Sequence, residues 1–373
     1  MELYLKREEC CGCAACADAC QVRAIRMIRD KEGFAYPRVD SSVCVHCGRC
    51  EQVCPVKKYS PEKRRRRYLG ARAKNERVRY SSSSGGIFPL LAEYVLEQKG
   101  VVYGAGYNGR MEVVHREANN LEQLEMLKRT KYVQSNMQNI FCNIRRHLKE
   151  NRWTLFCGTP CQARALRLFL DQEYDKLIIV DLVCYGVPSP GIWDDYVRYL
   201  EKKHHGKMTD FSFRDKRAKD HGHSYAYVIG GAEYTGPLSQ DRFCRMYFCN
   251  FTLRPSCHSC KFCTVERDSD FTIGDFWGIE NVRPQLGDGM GTSMVILHTD
   301  KAGKIWEQIQ EAVDWFECEK ENLLQPRLIE PSRKARARKL YMMLYRALPF
   351  SLFIRMADAV IKVCAGVISL WRG

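Results

Sequence analysis

The chain has 373 residues, with 59 Lys and Arg against 44 Asp and Glu, a formal charge of +15, and 20 cysteines. That length admits two or three domains with a sizeable core and excludes a small disulfide-stapled scaffold, and the short, charged opening does not read as a secretory signal. Reduced thiols are therefore expected, in the cytoplasm, and the positive charge suits an anionic partner without choosing its kind.

Residues 1–58 read as one small unit. Cys10, Cys13, Cys16 and Cys20 stand at x2, x2 and x3 spacing, and Cys44, Cys47, Cys50 and Cys54 repeat it, with Pro55 following. In the bacterial two-cluster ferredoxin pattern, three closely spaced thiolates grip one 4Fe–4S cluster and the fourth crosses to the other. The crossing pairs Cys54 with the first triplet and Cys20 with the second. Zinc also takes soft thiolates, but its structural sites have no use for such a triplet. Between the runs, Ile25–Val39 reads as a hairpin turning at Gly33. So small a unit buries little apolar surface, and the clusters are expected to supply much of its folding energy.

Residues 59–79 read as a basic linker around Lys63-Arg64-Arg65-Arg66-Arg67. No aromatic interleaving accompanies the run, so an acidic protein surface is the expected partner and nucleic acid is not. From Tyr80 the pattern turns to alternating strands and helices. Ile87, Leu90, Leu91, Tyr94 and Val95 make an apolar helical stripe with Pro89 in its first turn. Strands are expected at Val101–Ala105, Trp153–Cys157 and Leu177–Val183. Helices are expected at Leu121–Arg129, Asn139–Glu150, Gln162–Leu170 and Ile192–Lys203. Further strands fall at Tyr225–Ile229, Phe271–Ile273 and Ser293–Leu297, with a helix from Ala302 to Val313. This order predicts an α/β body over residues 80–330.

The tail, 331–373, is basic and amphipathic. Arg355, Asp358 and Lys362 interrupt its apolar stretch, so it does not span a membrane. It suits either a helical pair packed on the body or peripheral contact with an anionic membrane face.

Cys161 follows one predicted strand and Cys184 follows the next. The carboxyl ends of parallel strands share a rim, so these thiols can meet there. Cys257, Cys260 and Cys263 form a short metal-gripping loop downstream. Cys161, Cys184, Cys257 and Cys260 are the expected ligands of a third 4Fe–4S cluster, with Cys157 and Cys263 in reserve and zinc as the competitor. Clusters pass single electrons, and a flavin converts these for two-electron substrates. Ser83, Ser84, Gly85 and Gly86 immediately precede a helix, a plausible phosphate seat. Lys131, Gln134 and Ser135 are candidates to join it. Asp275 and Trp277 are candidate walls of the cofactor pocket, the alternative being a tight turn with a packed indole. Arg214 and Lys216 are candidates for binding an anionic substrate, with a surface salt-bridge strand as the alternative.

Several segments together resemble the family of coenzyme F420 hydrogenase/dehydrogenase beta subunits, in a version with an N-terminal ferredoxin domain. They are Ser82–Gly86, Val102–Ala105, Lys131–Ser135, Gly158–Gln162, Asp181–Cys184, Leu253–Cys257 and Gly274–Gly278. The resemblance divides the body into an N-terminal-type domain, 80–150, and a C-terminal-type domain, 151–330. It implies FAD, an additional 4Fe–4S cluster and an organic acceptor, either F420 or a related or unknown compound. Tyr185 stands where histidine is expected after the cysteine. The resulting expectation is an α+β ferredoxin-like domain, a larger α/β flavin-binding body and a helical tail. Such a protein would take electrons from reduced ferredoxin or another redox protein and pass them to that acceptor. An electron-transfer adapter without its own substrate is the alternative.

Overall fold

The computed structural model describes residues 3–60, 65–217 and 222–364. Lys63 and Arg64 of the basic run, and the tail beyond residue 364, lie outside these residues. The N-terminal unit is a hairpin of β1 (Ile25–Arg29) and β2 (Ala35–Val39) with two one-turn helices, Ala15–Asp18 and Arg49–Gln52. Gly33 holds φ at +82°, in the left-handed region that a side chain disfavours. A Cβ there would lie 2.6 Å from Gly191 Cα, so the turn also touches the body.

The remaining strands are β3 (Arg67–Ala73), β4 (Val101–Tyr107), β5 (Val113–Ala118), β6 (Thr154–Gly158), β7 (Leu177–Leu182), β8 (Met208–Asp215), β9 (Ser224–Ile229), β10 (Ala232–Pro237), β11 (Phe271–Asp275), β12 (Ser293–Leu297) and β13 (Val313–Glu317). Eight form one sheet in the order β13-β3-β12-β11-β7-β6-β4-β5, and β10-β9-β8 form a second. The inner strands β4, β6, β7 and β11 are parallel, and antiparallel strands flank them.

Alternation along the inner strands divides the core in two. Leu155, Ile178 and Val180 pack with Leu91 and Trp306, from the helices Ile87–Glu97 and Asp300–Ile309. Phe156, Leu177 and Ile179 pack with Ile144 and Leu166, from the helices Ile140–Lys149 and Pro160–Leu170. Each such buried side chain contributes about 1.5–3 kcal/mol. The second core also takes in Ala14, Ala15, Ala19 and Val53, which welds the small unit to the body.

Three sequence expectations need correction. Within the expected linker, residues 67–73 form β3, because buried Leu69, Ala71 and Ala73 alternate with polar partners of neighbouring strands. Arg67 pairs with Glu317, and Arg72 with Asp314 and Asp288. The helix expected over Leu121–Arg129 stops at Glu125. The helix expected to reach Val313 ends at Ile309, and Val313 opens β13, an edge strand of the large sheet.

The tail forms the helices Arg338–Ala347 and Phe350–Cys364. Tyr341, Met342, Phe353 and Ile354 are buried, and Tyr341 stacks on Phe251 with ring centroids 4.5 Å apart. Arg338 donates to buried Glu32 at 2.9 Å, so the tail also clasps the N-terminal unit. Among the described residues, no helix is long and apolar enough to cross a membrane.

Candidate redox centre

The N-terminal thiols fall into two groups. One hollow of about 390 Å³ is lined by Cys20, Cys44, Cys47 and Cys50. A second, of about 460 Å³, is lined by Cys10, Cys13, Cys16 and Cys54, and Cys50 touches it as well. Matched left-handed residues turn the chain around each middle thiol, Gly12 and Ala14 beside Cys13, His46 and Gly48 beside Cys47. In the inner loop the backbone N–H groups of Gly12, Ala15 and Ala17 donate to Cys10, Cys13 and Cys16. The outer hollow faces solvent through exposed Cys47 and Val45, whereas Cys13 is buried.

The third group assembles at the strand rim. Cys161 lies in the first turn of the helix Pro160–Leu170, Cys184 stands just past β7, and Cys257 lies in the turn Pro255–Ser259. The thiols nearest Cys184 in charge interaction are those of Cys257, Cys161 and Cys260. Val187 N–H donates to Cys257 Sγ at 3.5 Å, and Thr159 Oγ1 lies 3.2 Å from Cys161 Sγ. Burial pushes the Cys257 thiol up to about 12, with Cys260 adding to the rise, and raises Cys184 well above the ordinary thiol range, whereas Cys161 is raised well above it first by its hydrogen bond with Cys11 and then by burial. Such thiols stay protonated in the apoprotein and lose their protons on binding metal. Of the two reserve cysteines, Cys263 hydrogen-bonds Cys260, whereas Cys157 is turned toward Asp181 and Lys131. Among the described residues, no three His, Cys, Asp or Glu groups converge as ligands of a single ion do. The donor set of all three groups is thiolate, the soft type that iron–sulfur clusters and zinc take.

Cys11 joins the two regions. Its thiol is hydrogen-bonded to both Cys13 and Cys161. Sequence reasoning passed over it because it breaks the spacing pattern, although its adjacency to Cys10 was the available signal. Arg254 was passed over too. It is fully buried and reaches across to Cys10. The same seam is closed by Asp18, which accepts from Asn139 N and Phe141 N at the start of the helix Ile140–Lys149.

The expected flavin residues divide. Ser83 Oγ accepts from Thr130 N at 2.8 Å, and Ser84 Oγ accepts from Ser293 Oγ at 3.0 Å. Gly85 is needed for packing, since a Cβ would lie 2.6 Å from Ala71 O. Gly86, at φ +87°, starts the helix Ile87–Glu97, which has no side-chain cap. Buried Lys216 donates to Ser84 O at 2.6 Å and Arg79 O at 2.8 Å. Its alternative as a surface strand residue is thereby corrected. Desolvation, helped by Arg214, pulls the Lys216 ammonium down to about 7. Asp275, on the same rim, is ion-paired with Arg214.

Half-buried Lys131 sits next to Thr130 and donates to the carbonyls of Met126, Lys128 and Arg129. Desolvation brings it, too, down to about 7. Gln134 and Ser135 turn elsewhere. Gln134 donates to Cys11 O, and Ser135 Oγ meets His115 Nδ1 at 2.8 Å and accepts from Gln162. Trp277 is 60% exposed and so is not a packed indole. The uncapped helix start, and two buried or half-buried cations with no ion pair among the described residues, fit a phosphate-bearing cofactor.

Residues 151–321 match the family described as the C terminus of the coenzyme F420 hydrogenase/dehydrogenase beta subunit. Residues 9–58 match the 4Fe-4S dicluster domain. The F subunit of the F(420)H(2) dehydrogenase of Methanosarcina mazei is 23% identical over 355 residues, covering 89% of this chain and 92% of that protein. Ferredoxin 7Fe of Hydrogenibacillus schlegelii is 40% identical over 55 residues, 14% of this chain and 64% of the ferredoxin. Among solved structures, a chain of the F420-reducing [NiFe] hydrogenase complex from Methanosarcina barkeri aligns with a TM-score of 0.46 at 16% identity, covering 79% of this chain and 91% of that one. The chain thus joins an N-terminal segment that matches the 4Fe–4S dicluster domain to a body that, over residues 151–321, is similar to the C terminus of the coenzyme F420 hydrogenase/dehydrogenase beta subunit.

Proposed function

We propose that the protein is an iron–sulfur flavoprotein oxidoreductase. It takes electrons from reduced ferredoxin or a similar redox protein and delivers them to an organic acceptor, F420 or a related compound. The observation that carries this reading is the unbroken run of thiols from exposed Cys47, through the inner hollow, to the Cys11–Cys161 contact and the third group.

In this reading Cys20, Cys44, Cys47 and Cys50 hold the outer cluster. Cys10, Cys13, Cys16 and Cys54 hold the inner one, and Cys161, Cys184, Cys257 and Cys260 hold the third. When bound, the clusters supply one-electron transfer and FAD supplies the conversion to two-electron chemistry. Lys216, the Ser83–Gly86 turn and the uncapped helix behind it bind the anionic part of FAD, with Lys131 alongside. Asp275 holds Arg214 at the rim, where the guanidinium can orient a negatively charged acceptor. The exposed outer hollow is the entry face for the donor, in the cytoplasm.

The adapter reading has its own support, since the Methanosarcina mazei relative is named as one subunit of a dehydrogenase. Anaerobic purification with cofactor extraction separates the two. FAD with about twelve irons per chain supports the enzyme, and clusters without flavin support the adapter. Failure of F420 to reoxidise the reduced protein removes F420 as the acceptor.

A further inference from the structure

Arg254 has no exposed surface, and among the described residues no carboxylate pairs with it. Its Nε donates to Cys10 O at 2.7 Å, one Nη to Gln134 Oε1 at 2.9 Å, and the other to Ala35 O at 3.0 Å. That last nitrogen also lies 3.6 Å from Cys10 Sγ. The guanidinium sits over the Tyr36 ring, 4.2 Å from its centroid. The facing loop is built to admit it. A Cβ on Gly12, held at φ +70°, would lie 2.6 Å from an Arg254 nitrogen and 2.7 Å from Gln134 Nε2. Its main chain serves the other side, because Arg254 O accepts from Cys257 N at 2.9 Å and so shapes the turn bearing that thiol.

A buried cation without a counter-charge is costly, by several kcal/mol for an isolated ion even after relaxation. The acidic groups nearest Arg254 are the Cys10 thiol, the Tyr36 phenol and the thiols of Cys11 and Cys257. A cluster bound through Cys10 would supply the missing negative charge, and reduction would add one more. In a dry site the guanidinium favours that added charge, and its N–H against sulfur acts in the same direction.

We propose that Arg254 is the positioning residue that raises the reduction potential of the inner cluster, the one bound through Cys10, above that of the outer cluster. This rests on the assignment of Cys10, Cys13, Cys16 and Cys54 as its ligands. One electron leaves the outer cluster as the inner one gains it. Arg254 stays charged throughout and exchanges no proton. The step therefore runs inward, toward Cys161 and Cys257.

The test is a redox titration of the anaerobically reconstituted full chain, followed by electron paramagnetic resonance with iron counted in parallel. Arg254→Gln should move the inner-cluster midpoint to more negative potential by at least about tenfold in the reduction equilibrium, ~59 mV for one electron, move the third, held in part by nearby Cys257, by less, and leave the outer one in place. Arg254→Lys keeps the charge but loses the fork, and should shift the same midpoint less. It serves alone if the Gln variant does not fold. Full iron with unmoved midpoints overturns the proposal, as does a common shift of all three. Loss of about four irons in both variants also overturns it, since Arg254 would then only hold the site together. Wild-type protein whose inner thiols take no iron would instead overturn the ligand assignment beneath it.

Discussion

Asp181 and Arg267 form an ion pair at 2.7 Å with both side chains at most 2% exposed. Asp181 also accepts from Ser269 Oγ at 2.8 Å and Thr272 Oγ1 at 2.7 Å, so its carboxylate is fully engaged. The pair ties β7, just before Cys184, to the segment that follows Cys263. Removing one partner leaves a buried charge uncompensated, which costs about 3–5 kcal/mol. Arg267→Met should lower the unfolding free energy in denaturant by that amount. It should also cost the third site its iron before the N-terminal sites lose theirs.

The crossed grouping of thiols separates two single substitutions. Cys54→Ser should remove the buried inner cluster, and Cys20→Ser the solvent-facing outer one, each about four irons per chain. Iron analysis gives the count. Accessibility to an added chelator tells which cluster went, because the N-terminal cluster remaining in Cys54→Ser faces water through Cys47. Equal protection of the remaining iron in both variants would contradict the crossed grouping.

Lys216 gives a pH signature. Its folded value of about 7 lies below the ordinary 10.5, chiefly through desolvation. Between those values the unfolded chain binds more protons, so stability rises with pH across that window. Below pH 7 both states are protonated and the burial penalty is felt in full. The stability of wild type relative to Lys216→Met should therefore increase from pH 7 toward 10 and stay flat below 7, in paired denaturant titrations. An anionic ligand at Ser84 favours the charged amine. Under the proposed function FAD should therefore bind best below pH 7 and weaken by up to about tenfold per unit above it, a dependence the Met variant lacks.

The seam between the N-terminal unit and the body rests on close backbone approach. Gly33→Ala would place a methyl 2.6 Å from Gly191 Cα, at a φ that alanine disfavours. A loss of at least about 1 kcal/mol follows from the backbone strain alone. Arg338→Met leaves buried Glu32 only the longer contact to half-exposed Arg7, at 3.5 Å, and should cost less than the about 3–5 kcal/mol of a buried charge left without any partner. Both variants should open the hairpin Ile25–Val39 to hydrogen exchange before the large sheet.

Ligand chemistry was legible in the chain itself, because a cluster-binding loop is local. Cys10 through Cys20 and Cys44 through Cys54 carry their spacing in consecutive residues. The strands Leu177–Leu182 and Ser293–Leu297 were legible for a related reason, since a strand buried on both faces is predominantly apolar. β3 was hidden, because its basic residues find their acidic partners on β13 and in the loop before β12, which are more than two hundred residues away.

Only the tertiary structure decided that Gln134 faces Cys11, that Lys216 is buried beneath Ser84, and that Arg254 lies against Cys10. These three are polar side chains whose roles depend on what lies opposite. What lies opposite is set by how the hairpin unit docks on the sheet rim, and that docking comes from packing of Ala15, Val53 and Phe156 in one shared core. The sequence determined which thiols can hold iron. Folding determined which charges surround them, because long-range contacts leave no periodic trace along the chain.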